Sequence, residues 1–258
     1  LSMSERFAVI MAGGKGERFW PQSRLSCPKH LLPVVGEKPL LVQTLDRVKQ
    51  VLPAENIFII TSRDQREKII EISPDVPSSQ IVAEPEGRDT APAVGLAMLL
   101  VKNRNPEAGF AMLPADHIIH DTTGYKRVLE AAFTIAENHE VLTTIGIKPT
   151  EAATGYGYIH VGAPCDFQSP HPAFHVQQFV EKPDSATAHR YWESGDYYWN
   201  SGMFIWSVKA IELAIRSAAP DLYDGLLEIE KELNNDRSFD ESLQHRFPLL
   251  PKISIDYA

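Results

Sequence analysis

The chain has 258 residues, with 43% hydrophobic and 23% charged side chains, ordinary values for a globular protein long enough to bury a large core. A formal net charge of −9 argues against nucleic acid as the main partner, since affinity for a polyphosphate backbone rests on excess Lys and Arg; local basic loops stay compatible with a small anion. No stretch approaches the roughly 18 apolar residues of a membrane span, and no signal peptide precedes the first apolar run. Cys27 and Cys165 fit no CxxC or Cys/His spacing, which points to a reducing cytoplasm, with Cys27 expected to be packed and inert despite nearby Lys29.

Phe7 to Met11 is too short to span a membrane and too apolar for a surface strand, so it predicts a strand buried on both faces. Gly13, Gly14 and Gly16 follow at once. Without Cβ atoms and with positive φ allowed, their N–H groups can close on an anion, and Lys15, Arg18 and Lys29 supply the matching charge. The spacing fits neither a P-loop, GxxxxGK followed by Ser or Thr, nor a dinucleotide GxGxxG opening a helix. A phosphate site of another kind is expected.

Pro39 to Val51 carries Leu40, Leu41, Leu45, Val48 and Val51 at helical spacing, and NIFIIT from Asn56 predicts the next buried strand. Gln65 to Ile72 predicts a short helix and QIVAEP from Gln80 another strand. Asp89 or Thr90 can cap a helix over Ala91 to Val101, with Pro92 in the first turn where proline is tolerated. FAMLPADH from Phe110 is a further buried strand, Tyr125 to Asn138 an amphipathic helix, and VLTTIGI from Val141 a strand. Strand and helix in alternation predict an α/β fold, a Rossmann-like, mainly parallel sheet with helices on both faces. Ligands of such sheets sit beyond the carboxyl ends of the strands, where the glycine loop, Glu84 and Asp116 all fall.

From about Thr150 the character changes. GYGYIHVGA, FHVQQFVEKP and MFIWSV read as alternating, aromatic-rich strands between polar segments, so 150–208 is expected to form a substrate-binding lobe of mixed strands. Ala210 to Asn235 reads as mostly helical, and ISIDYA as a last strand or its exit. Leu1-Ser2 before Met3 resembles an expression scar, and a longer natural protein continuing beyond Ala258 is expected.

Asp116 follows Leu113-Pro114-Ala115 at a strand end. A carboxylate beside a phosphate loop suits Mg²⁺, which takes one or two carboxylates plus substrate phosphates, although Asp is also a preferred helix cap. Asp256 is a second isolated acid that completes a metal site if the two meet. His117 and His120 lack a third ligand and are expected to pack or cap rather than hold zinc. Glu181-Lys182-Pro183 leaves an acid and a base at a strand end: the carboxylate can accept from two sugar hydroxyls and the ammonium can pair with a sugar phosphate, a surface salt bridge being the alternative. Asn200 can read a hydroxyl, while Tyr198, Trp199, Phe204 and Trp206 are expected in the core.

Taken together, GGKGERFWPQSRLSCPKHLLP, EPEGRDTAPA, LPADH, FVEKP, WNSGMFIW and SIDYA, in this order from Phe7 to Ala258, resemble the sugar-1-phosphate nucleotidylyltransferases, most closely the mannose-1-phosphate guanylyltransferases. The resemblance implies a GT-A-like nucleotidyltransferase catalytic domain over 4–258. It also implies residue roles: Gly13, Gly14, Lys15, Gly16 and Arg18 around a nucleoside triphosphate, Lys29 closing that loop, and Asp116 with Asp256 on the metal. Glu84, Arg88, Asp89 and Thr90 would lie near guanine and ribose, and Gly155, Glu181, Lys182 and Asn200 around the sugar phosphate; many relatives carry Asn where this chain has Asp89. The implied reaction is attack of mannose 1-phosphate on the α-phosphorus of GTP with Mg²⁺, giving GDP-mannose and pyrophosphate in the cytoplasm, from a monomer or a homo-oligomer, with neither nucleic acid nor membrane as partner. A uridylyl- or thymidylyltransferase acting on glucose 1-phosphate, a glycosyltransferase (disfavoured by the lack of a DxD pair) and a non-catalytic nucleotide-sugar sensor (disfavoured by the presence of Lys29, Asp116 and Lys182) are the rival readings.

Overall fold

A computed structural model describes residues 5–13, 28–167, 169–234 and 238–256 of the chain. Four strands make its parallel core: β1 (Arg6–Ala12), β2 (Ile57–Ser62), β3 (Ile81–Glu84) and β4 (Gly109–Pro114). They lie in the order β3-β2-β1-β4. As expected of strands buried on both faces, they are runs of apolar, often β-branched residues, and Phe7, Val9, Ala8 and Ile10 are all fully buried.

The alternating sides of β1 meet two separate helix layers. Phe7 and Val9 pack with α3 (Thr90–Arg104), α6 (Val208–Ala218), α7 (Pro220–Asn234) and α8 (Phe239–Arg246). Ala8 and Ile10 pack with α1 (Leu40–Val48), α2 (Arg63–Ile72) and α4 (Thr122–Asn138). α3 is buried without a break from Ala91 to Val101, because the sheet covers one side and α6 and α7 the other.

The second half departs from the parallel plan. β8 (Tyr197–Ser207) runs antiparallel to β4 and is long enough to serve several neighbours. Its C-terminal part pairs with β4, β5 (Thr143–Ile147) runs along it from Ile205 back to Trp199, and its first residues pair with β6 (Tyr158–Pro164), which carries β7 (Phe174–Val180) outside it. The 150–208 segment therefore grows out of the central sheet through β8. It also contains a helix, α5 (Ser185–Ser194), capped by Asp184 and ended by Gly195 in the left-handed region.

Two further expectations are adjusted. The helical stretch expected over 210–235 is two helices, broken between Ala218 and Pro220. α8 lies beyond it, opened by a capping box of Ser238 and Glu241. Among the described residues of ISIDYA no strand forms: the Ile253 carbonyl accepts from Ala91 N (3.1 Å) and Ile255 N donates to Thr90 Oγ1 (2.8 Å), so this backbone satisfies the start of α3 instead of a sheet edge.

Candidate active site

The parallel core aligns the ends of its strands. Met11 pairs with Pro114 and Ser62 with Glu84, so Gly13, Glu84 and Asp116 leave the sheet along one edge. Gly14, Lys15, Gly16 and Arg18, with Cys27, lie outside the described residues. Gly13 is described, and a Cβ there would sit 3.2 Å from Glu84 Oε2, so the glycine lets the carboxylate lie against the backbone where the loop begins. Glu84 Oε1 is buried and has no hydrogen-bond partner among the described residues. Burial pushes this carboxyl up to about 7.

Asp116 sits just past β4, its side chain 41% exposed, and Lys29 Nζ lies 3.4 Å from its Oδ2. Lys29 rides on a short 3-10 helix over Lys29–Leu31, anchored by buried His30, whose Nε2 meets Gln65 Oε1 on α2 at 2.8 Å. Burial lowers the pKa of both His30 and His117. Among the described residues no three His, Cys, Asp or Glu side chains gather as a metal-binding group.

The loop carrying Asp116 is fixed by a residue the sequence reading passed over. Arg47, buried on α1, donates to the His117 carbonyl (2.9 Å) and to Thr44 Oγ1 (2.8 Å), and Ala115 N donates to the Met11 carbonyl (3.1 Å). A guanidinium on the same helix face as Leu40 and Thr44 was the available signal, because a buried Arg needs acceptors.

A second cluster stands at the start of β8. Glu181 and Lys182 pair with each other, and Lys182 adopts φ +43°. Asn200 N donates to the Gly157 carbonyl (2.8 Å), and a Cβ on Gly157 would lie 2.6 Å from Glu181 Oε2. Gly157, rather than Gly155, thus presses on Glu181 and Asn200; Gly155 has open space where a Cβ would go. Between them Tyr156, 52% exposed, leans on Trp199 with ring centres 5.0 Å apart; Trp206 is core as expected, whereas Tyr198 and Trp199 are only half-buried.

Thr90 and Asp256 tie this cluster to the Glu84 segment. Asn200 Nδ2 donates to Asp256 Oδ1 (3.3 Å), Ser254 Oγ donates to Asp256 Oδ2 (3.0 Å), and Ser254 Oγ lies 3.2 Å from Thr90 Oγ1. Asp89, at φ +70°, accepts from Thr90 N and caps α3. Arg88 is turned away, to Glu86 (2.7 Å) and to the Pro248 carbonyl. The two proposed metal acids are engaged separately, Asp116 by Lys29 and Asp256 by Asn200 and Ser254.

A parallel core that sets Gly13, an acid and a lysine along its strand ends is the architecture of a nucleotide-handling α/β domain. The chain matches the nucleotidyl transferase family over residues 7–243 and belongs to that family. It is 37% identical to the xanthan biosynthesis protein XanB of Xanthomonas campestris pv. campestris strain B100, over 99% of this chain and 54% of that protein. It is 36% identical to the mannose-1-phosphate guanylyltransferase of Escherichia coli K12, over 100% of this chain and 54% of that protein. The chain therefore spans about half the length of the curated relatives it matches. A crystal structure of a Thermus thermophilus protein, described as mannose-1-phosphate geranyltransferase, superposes with a TM-score of 0.83 at 34% identity, over 98% of this chain and 70% of that one.

This geometry can be tested at Arg47 and at Glu84. Arg47→Met keeps the apolar volume but withdraws the donor from the His117 carbonyl; hydrogen exchange at the Asp116 and His117 amides should rise about tenfold or more while the β4 amides stay protected, and unchanged exchange would remove the positioning role. For Glu84 the folded state holds its proton more tightly than the unfolded chain, so stability falls as pH rises from the ordinary value of 4.5 to about 7. Glu84→Gln should therefore gain stability over the parent across that window, by up to about 3 kcal/mol above it, in urea titrations without nucleotide; a difference that does not change with pH would show that the carboxyl is not perturbed.

Proposed function

We propose that the chain transfers the guanylyl group of GTP to mannose 1-phosphate, releasing pyrophosphate and forming GDP-mannose. The observation that carries this reading is the hydrogen-bonded path from Thr90, which follows the Glu84 strand end, through Ser254 and Asp256 to Asn200 and the Gly157 carbonyl, with Gly157 packed close against Glu181. Such a path holds two binding surfaces in one frame, as a reaction between two separately bound phosphates requires. The names of the relatives from Escherichia coli and Salmonella typhimurium, at 36% and 38% identity, support the same pair of substrates.

Glu84 favours guanine. Its carboxylate presents two acceptors, matching the adjacent N1–H and N2–H₂ donors of guanine, whereas uracil and thymine offer one N–H between two carbonyls that a carboxylate would repel. On the sugar side, Glu181 can accept from two hydroxyls, Lys182 can neutralise the sugar phosphate, and Tyr156 offers an apolar ring face. No protein nucleophile is needed, because the phosphate of mannose 1-phosphate is itself ionised and can attack the α-phosphorus in line. The protein's work is positioning and charge neutralisation. Lys29, with Lys15 and Arg18, would offset the repulsion between the two anions and the charge building on pyrophosphate.

Members of this family generally use a divalent metal. The residues present suit Mg²⁺: Asp116 offers a half-exposed carboxylate at the strand ends, and a cage of protein ligands is neither found among the described residues nor needed. Asp116, with Asp256 as its proposed partner, would hold the ion, which when bound polarises the α-phosphate. These substrates, and two cysteines that fit no CxxC or Cys/His spacing, suit a cytoplasmic enzyme.

Pyrophosphate release should be fastest with GTP and mannose 1-phosphate in a panel of nucleoside triphosphates and sugar 1-phosphates; faster release with another pair would overturn the substrate assignment. Asp116→Ala should lose on the order of 10² to 10³ in turnover, the range for one transition-state stabiliser, and near-full activity at saturating Mg²⁺ would refute its metal role. In Lys182→Ala the Michaelis constant for mannose 1-phosphate should rise with little change for GTP, so an unaltered constant would count against a sugar-phosphate contact.

A further inference from the structure

Building on the reading of Glu84 as the base contact, we propose that the charge state of Glu84 selects the purine: its carboxylate takes guanine, its protonated carboxyl takes adenine, and the preference for GTP over ATP is therefore set by pH. The geometry supplies the means. Glu84 leaves β3 beside Ser62, its Oε2 lies against the backbone at Gly13, and its Oε1 is buried without a partner among the described residues. A carboxyl so placed gains most from a ligand edge that satisfies both oxygens at once.

The two purines offer complementary edges. Guanine shows two neighbouring donors, N1–H and N2–H₂, and fits only the ionised group. Adenine shows the N6–H₂ donor beside the N1 acceptor, so a protonated carboxyl can accept with its carbonyl oxygen and donate with its hydroxyl. An ionised Glu84 would instead face the adenine N1 lone pair, and a protonated one would aim a donor at a guanine donor. Each base thus matches one form and clashes with the other.

Among the described residues, the surroundings leave both forms accessible near neutrality. On the β1 and β2 sides Glu84 meets Gly13 and pairs with Ser62, which carry no charge, and the Thr61 hydroxyl nearby donates to the Ala12 carbonyl. The charged residues next in sequence are engaged elsewhere: Arg63 with Gln244, and Arg88 with Glu86 and the Pro248 carbonyl. Burial is the cause of the upward shift to about 7.

The test is direct binding of GTP and of ATP with Mg²⁺ and no sugar phosphate, by calorimetry, from about pH 6 to about pH 8.5, where neither base titrates and the ratio of the two affinities cancels the ionisation of the triphosphate. Between about pH 6 and about pH 8 the GTP affinity should rise, and the ATP affinity fall, by roughly tenfold each, following the fraction of the competent form. Glu84→Gln presents an acceptor and a donor like the protonated acid, so it should prefer ATP with a ratio that does not change with pH. Glu84→Asp should keep the direction of the pH dependence. A flat ratio in the parent, with GTP selectivity lost in Glu84→Gln, would overturn the pH selection and leave the base contact standing. Unchanged GTP preference in Glu84→Gln at every pH would overturn both.

Discussion

The crevice depends on β1 being paired on both edges. Because β2 and β4 flank it in parallel, their carboxyl ends reach the same rim, and the residue after each strand is delivered there by register alone. A parallel strand between parallel neighbours must be buried on both faces, so the apolar run Phe7 to Ile10 fixes the depth of β1 between the two helix layers as well as its direction. A slip of one residue would turn Phe7 and Val9 from the α3 layer to the α1 layer and withdraw Gly13 from Glu84. The polar residues of the rim are thus positioned by hydrophobic packing several residues earlier.

What the parallel core does for Gly13, Glu84 and Asp116, hydrogen bonds do for the sugar-side cluster. Asn200 stands in β8, Glu181 just past β7, Asp256 in a segment without strand partners, and Thr90 at the first turn of α3. Their register is set by polar contacts: Asn200 N to the Gly157 carbonyl, Ile255 N to Thr90 Oγ1, and Asp256 between Asn200 and Ser254. Two residues in this frame, Asp89 and Lys182, hold a positive φ that costs a side-chain-bearing residue on the order of 1 kcal/mol or more. In both cases the neighbouring backbone is fixed, by the cap of α3 after Asp89 and by Pro183 after Lys182.

This difference explains what the sequence made legible. Continuous apolar runs ending in Gly13, Glu84 and Asp116 announced the parallel half, because burial on both faces leaves one sequence signature and one place for the ligand. The second half carries weaker signals. β7 is exposed along nearly its whole length, so its alternation does not report which face is inside. α5 and α8 carry only local cues, Asp184 with Gly195 and the Ser238-x-x-Glu241 box, on helices of ten and eight residues. ISIDYA has the composition of a strand, but its backbone groups are taken by α3. Arg47 and the Thr90–Ser254 contact join residues distant in sequence, and nothing local in the chain states whom they meet.

The charges at the rim are best understood by what they do not contribute to folding. Lys29 and Asp116 form a half-exposed pair at 3.4 Å, an arrangement worth less than about 1 kcal/mol in stability. Glu84 opposes folding above its ordinary pKa, since burial penalises its ionised form. A fold tuned for stability alone would gain by an amide at position 84 and lose little by neutral residues at 29 and 116. Kept together along one rim, an acid with an oxygen unpartnered among the described residues and a half-exposed ion pair are groups suited to meet a ligand. In the proposed reaction guanine donors would meet the first, and a metal-bound triphosphate would divide the second, with the ion taken by the carboxylate and the phosphate by the lysine.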